Sequence, residues 1–227
     1  YHAWSYKLNG ELRNAPGFDR LDSFDPAGFG LIELRVVDWH GWLFVDPSGQ
    51  DGDFADHVAG TEEIISPYRP EDLTVVARHS YELATNWKVI VENYQECYHC
   101  PSIHPELSRI SPPTSGENIE MPGDWMGGWM SMIDEAETMS LSGRSGGVAI
   151  KGLSEQELRS VMYLVGFPNL LVSLHPDYIM THTMTPLSVD RTHVECAWAF
   201  PREAADRPGF DPSYAVDFWD LTNRQDW

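Results

Sequence analysis

The stretch 86–105 constrains this chain more than any other. It opens as a helix: Thr85 or Asn86 is a suitable cap, Val89, Ile90 and Asn93 recur at helical spacing, and Lys88 and Glu92 stand four apart as an ion pair would. It then places Glu96, Cys97, His99, Cys100 and His104 close together. Pro101 falls between the histidines and Pro105 follows the second, so no unbroken helix runs through His104. Five residues apart on a continuous helix, two imidazoles diverge; a break at Pro101 lets both face one point. That suggests a metal site, against the plain alternative of two unrelated polar residues near a helix end. One option is structural zinc held through Cys97, Cys100 and the histidines. The other is iron(II) in a two-histidine, one-carboxylate triad, with the carboxylate drawn from elsewhere. Cys196 is the only further cysteine, which weighs against a second zinc knuckle.

The run Glu92-Asn93-Tyr94-Gln95-Glu96-Cys97-Tyr98-His99-Cys100-Pro101-Ser102-Ile103-His104-Pro105 resembles the mononuclear iron motif of Rieske non-haem iron oxygenase large subunits. The pattern there is Glu-Asn-x-x-acid-x-x-His-x4-His, and Asn86-Trp87-Lys88 ahead of it is similar as well. The resemblance implies mononuclear Fe(II) on His99 and His104, with Asn93 and Glu96 in the catalytic set. It puts Glu96 where an acid bridges to the Rieske cluster of a neighbouring subunit. The first residues, Tyr1-His2-Ala3-Trp4-Ser5-Tyr6, then Leu8 to Leu12 and Ala15-Pro16, are similar to the second half of a Rieske [2Fe–2S] motif, in which one iron takes two cysteines and the other two histidines. His2 matches the final histidine, one of the four cluster ligands; the other three are not in the sequence. The expectation is a fragment that begins inside the Rieske domain and stops before the end of the catalytic domain. For the third iron ligand, spacing leaves Asp217, Asp220 and Asp226 open. The family's carboxylate lies late on this helix, in segments similar to Arg224-Gln225-Asp226-Trp227, which implies Asp226.

Composition limits the partners. Fifteen basic against thirty-five acidic residues give a net charge of −20, which argues against nucleic acid and anionic membrane surfaces. No apolar run approaches the ~18 residues of a membrane span. Three cysteines do not suggest a disulfide framework, so a reducing, cytoplasmic setting is expected.

Hydrophobic patterning gives an α+β chain. Asn9-Gly10 reads as a hairpin turn, and 31–37 and 42–45 read as strands joined through His40-Gly41. These belong to the C-terminal part of an all-β Rieske domain, 1–46. Residues 47–72, with Pro47, Gly49 and Gly52, are the expected linker. Residues 73–227 are the catalytic domain: a strand over 73–83, the central helix, an irregular segment over 112–152, and strands over 161–167, 170–175, 178–186 and 193–200. The family implies a helix-grip antiparallel sheet. The last helix is expected to open at Asp211-Pro212, with Ala215, Phe218, Trp219 and Thr222 on its inner face. Within the irregular segment, Trp125 and Trp129 flank a glycine pair and are candidates for a substrate-pocket wall or lid.

The expected function is a terminal oxygenase component, using dioxygen and electrons from a reductase or ferredoxin to hydroxylate or N-demethylate a small organic substrate. Glu-Cys-Tyr-His-Cys-Pro resembles the branch acting on quaternary amines; ring hydroxylation of an aromatic compound is the alternative, and a metal-free helix-grip binding module the non-enzyme one. The family implies a homotrimer, with or without a small β subunit.

Overall fold

In the computed structural model, residues 2–18, 20–48 and 52–227 are described. Tyr1 of the N-terminal resemblance and Gly49 of the expected linker lie outside the described residues. The chain divides into two compact units, Tyr1–Gly52 and Asp53–Trp227. The first is built of hairpins: β1 (Ser5–Tyr6) pairs with β2 (Leu12–Asn14), and β3 (Arg35–Trp39) with β4 (Trp42–Asp46). Leu31 to Leu34, expected in a strand, precede β3 and lie outside it.

The second unit begins within the expected linker. Asp53 caps α1 (Phe54–His57), which is followed by α2 (Glu62–Ile65), and Val58, Thr61, Ile65 and Tyr68 are buried. Residues 53–72 are therefore folded onto this unit instead of spanning between units, because they carry apolar side chains that their polar surroundings concealed. Next come β5 (Leu73–Leu83), α3 (Trp87–Gln95), α4 (Cys100–Ile103), α5 (Pro105–Ile110), β6 (Gly116–Ile119) and β7 (Trp125–Ser131). The remainder is β8 (Ser160–Gly166), β9 (Leu170–Leu174), β10 (Ile179–Ser188), β11 (Arg191–Pro201), α6 (Arg202–Ala205) and α7 (Ser213–Asp226).

Seven strands form one antiparallel sheet in the order β5-β11-β10-β9-β8-β7-β6. Strand β9 is central and all five of its residues are buried, as a strand covered on both faces requires. The expected irregular segment thus contains two strands. Strand propensity fails there because glycine packs no side chain. Close approach explains the pair: a Cβ on Gly127 would sit 2.3 Å from the Tyr163 carbonyl, and one on Gly128 2.6 Å from that of Glu117.

Helices α3 and α7 cover the same face of the sheet. Tyr94 of α3 lies edge-on to His182 of β10 at 5.8 Å, and Asn223 of α7 meets the same imidazole at 3.4 Å. The expected inner face of α7 is buried in full: Ala215, Phe218, Trp219 and Thr222. Trp219 donates to Tyr178 Oη at 2.7 Å, and burial of Phe200 and Phe218 contributes about 1.5–3 kcal/mol each. Among the described residues no helix is long and apolar enough to cross a membrane.

Candidate metal centre

Asn86 caps α3, its side chain accepting from Lys88 N at 3.0 Å. Lys88 does not pair with Glu92; its ammonium lies 5.7 Å from the Trp87 ring centroid. The helix ends at Gln95, ahead of Pro101, because Glu96 turns to extended backbone (φ −115°, ψ 146°). There its carboxylate accepts from Tyr98 N at 2.7 Å. The prolines therefore start helices and do not break one. Pro101 sits in the first turn of α4, capped by His99, and Pro105 in the first turn of α5, capped by His104. Two successive helix starts thus present the two imidazoles.

The histidines converge. Nε2 of His99 and Nε2 of His104 are 3.1 Å apart. Oδ1 of Asp226, at the end of α7, lies 2.9 Å from His104 Nε2 and 3.4 Å from His99 Nε2. The three donors form the one metal-ligand cluster among the described residues. Donors about 2.1 Å from a common ion and mutually at right angles would stand about 3.0 Å apart, so this set fits three adjacent corners of an octahedron.

The far ring nitrogens fix the tautomers. His99 Nδ1 faces the Glu96 carboxylate, which can only accept. His104 Nδ1 donates to Gln225 Oε1 at 2.8 Å, while Gln225 Nε2 donates to Glu106 at 3.0 Å, which orients the amide. Both Nε2 atoms are thereby left as acceptors, the state a metal needs. Burial lowers the His104 pKa, but Gln225 at Nδ1 and the Asp226 carboxylate, which would accept a proton carried on Nε2, outweigh it and leave the pKa raised; a metal ion at Nε2 would take that proton's place. Burial works against the Glu96 carboxylate too, yet His99 and the Tyr98 amide hold it below its ordinary value.

The rival acids are accounted for. Asp217 is exposed. Asp220 accepts from Tyr81 Oη at 2.5 Å and Arg224 Nε at 2.7 Å, away from the histidine pair. Cys97 and Cys100 are joined by a disulfide, against the expectation drawn from the cysteine count; the turn brings their Cα atoms to 4.9 Å. Their sulfurs face each other and leave the nitrogen and oxygen donors as the ligand set, while Cys196 is free and buried.

The cluster borders a cavity of about 670 Å³. Asn93, Glu96 and Trp129 line it; Trp125, the other tryptophan considered for the pocket wall, does not. Trp125 is buried against Gly166 and lies 6.5 Å from the His57 ring, because it sits four residues before Trp129 on a strand whose course carries it past the cavity. Gln225, Tyr94, Tyr163 and His182 were not among the expected site residues; tertiary packing brings them there. For Gln225 a signal existed, its place beside Asp226. His182 is neutral, pulled down to about 4 by burial. His2 lies in the first unit, in a turn with φ 43°.

A family model described as the ring hydroxylating alpha subunit (catalytic domain) matches residues 70–227. The chain is 25% identical over 254 positions to the glycine betaine monooxygenase oxygenase subunit of Pseudomonas aeruginosa, covering 100% of this chain and 59% of that protein. It is 34% identical over 110 positions to the carnitine monooxygenase oxygenase subunit of Escherichia coli (strain K12), covering 48% of this chain and 29% of the relative. Among solved structures, a quaternary ammonium Rieske monooxygenase superposes with a TM-score of 0.78 at 22% identity, covering 100% of this chain and 58% of that one. Naphthalene 1,2-dioxygenase from Rhodococcus sp. gives 0.68 at 16%, covering 99% and 57%. These structural likenesses concern the fold, and the chain spans 59% of the Pseudomonas relative's length. With its family match running from the start of the sheet to the final helix, this chain belongs to the ring-hydroxylating alpha subunits, whose catalytic domain is carried by residues 70–227.

Proposed function

We propose that the chain is part of the terminal oxygenase of a Rieske non-haem iron system that hydroxylates or N-demethylates a small organic substrate, a quaternary amine first. The observation that carries this reading is the convergence of His99, His104 and Asp226 beside the cavity. Mononuclear Fe(II) held there would supply dioxygen activation, since three protein ligands leave coordination positions open. The chain's own residues do the positioning. Glu96 and Gln225 hold the two imidazoles through Nδ1, and Asn93 borders the cavity from α3. The aromatic side chains of Tyr94, Trp129, Tyr163 and Trp219 wall the space.

His2 would be one ligand of a [2Fe–2S] cluster fed by a reductase or ferredoxin. Glu96 is still half exposed beyond its contacts to His99 and Tyr98, so its carboxylate is open to the partner subunit's His2 in a homotrimer. In N-demethylation, R–N(CH3)3+ with O2, two electrons and two protons gives R–NH(CH3)2+, formaldehyde and water. Relatives named for glycine betaine and carnitine favour the amine. The aromatic walls also suit an arene, as the likeness to naphthalene 1,2-dioxygenase allows.

The test is turnover by the full-length protein with a competent electron donor. Formaldehyde release from trimethylammonium compounds, absent in His104→Ala, is the expected result. Dihydroxylation of naphthalene without any amine turnover would overturn the amine reading.

A further inference from the structure

The cavity wall away from the histidines is made by β6 and β7. Glu117 and Trp129 are direct partners in that ladder, so their side chains stand on one face of the sheet, and both line the cavity. The other lining carboxylates are engaged: Glu96 with His99 and the Tyr98 amide, Asp226 with the histidine pair. Glu117 forms no ion pair among the described residues, and no lysine or arginine lines the cavity.

A fully alkylated ammonium has no N–H to donate. It is recognised by the face of an aromatic ring and by a nearby anion, and an indole beside a carboxylate offers both. A zwitterion differs. Its own carboxylate would enter a cavity with Glu117 on its wall and no lysine or arginine, where donors such as Gln95 Nε2 and Tyr163 Oη offer hydrogen bonds but no side chain offers an ion pair. We propose that Glu117 and Trp129 form a cation-recognition subsite, and that the preferred substrate is an alkylammonium cation with no carboxylate of its own. This deepens the amine reading above and rests on it.

The experiment is calorimetric titration of the full-length, iron-loaded protein with choline, glycine betaine, and 3,3-dimethylbutan-1-ol, which matches choline in shape without its charge. Choline is expected to bind at least about tenfold tighter than either of the others. In Glu117→Gln the preference for choline over the uncharged alcohol should collapse, and in Glu117→Asp it should persist. The preference is a ratio taken within each variant, so a loss of folded protein cancels. Glycine betaine binding as tightly as choline, or an unchanged ratio in Glu117→Gln, would overturn the proposal while leaving the amine reading intact. Binding of the alcohol and naphthalene, with neither choline nor glycine betaine bound, would overturn both.

Discussion

His104 donates through Nδ1 to Gln225 and turns Nε2 towards Asp226, its neighbour on α7, 2.9 Å away. Gln225 is in turn oriented by Glu106 on α5, so one amide ties two helices to the imidazole. Outer partners of this kind set ligand basicity and ring angle, and their loss costs about 10–100-fold in metal affinity. Gln225→Leu is therefore expected to weaken iron(II) binding by that order in chelator competition, with the melting temperature little changed; unaltered affinity would show that the amide does not matter. The histidine pair was legible in the sequence because both ligands lie within one short motif. Gln225 stood beside the expected ligand, but its own role was not legible, because it depends on which residue of the motif α7 meets across 121 positions. The Glu96–His99 contact does not come from a shared helix face. It forms after the helix has ended, through an extended residue and a turn.

The hairpin between β9 and β10 carries a different charge problem. His175 N donates to Tyr178 O at 3.0 Å, and the His175 ring stacks on Tyr178 at 4.1 Å. Both ring nitrogens are buried with no partner, and burial alone drives the pKa well below its ordinary value. The folded state keeps His175 neutral, while the unfolded chain takes up a proton near pH 6.5. Above that pH both states are neutral and the residue adds no pH dependence. Below it the unfolded state binds more protons, so stability falls as pH falls, by up to about 1.4 kcal/mol per pH unit. His175→Phe should remove this contribution: the fall in urea midpoint between pH 7 and pH 5 should be smaller than in wild type, and an equal fall would contradict the assignment. The hairpin itself was readable from its flanking apolar runs, 170–175 and 178–186. Strand β7 was not, because Gly127 and Gly128 suit a close backbone neighbour that only the folded sheet supplies.

At the scale of the whole molecule, an acidic chain of net charge −20 folds as two units, and the second brings together residues from opposite ends of its own length. His99 and His104 come from the loop after the first helix beyond β5, and Asp226 from the final turn of α7. The antiparallel sheet and its packed helix followed from periodicity. The cavity did not, since Tyr94, Glu117, Trp129 and His182 sit on four separate elements and carry no shared pattern. The same separation makes the ligand set testable one residue at a time. The most direct measurement is the electron paramagnetic resonance of the iron–nitrosyl adduct in anaerobically iron(II)-loaded full-length protein. We expect about one mononuclear iron per chain in wild type and in the Cys97→Ser, Cys100→Ser double variant, and loss of that signal in His99→Ala, His104→Ala and Asp226→Ala. A signal that survives in His104→Ala and Asp226→Ala, or that disappears with the cysteines, would contradict the account.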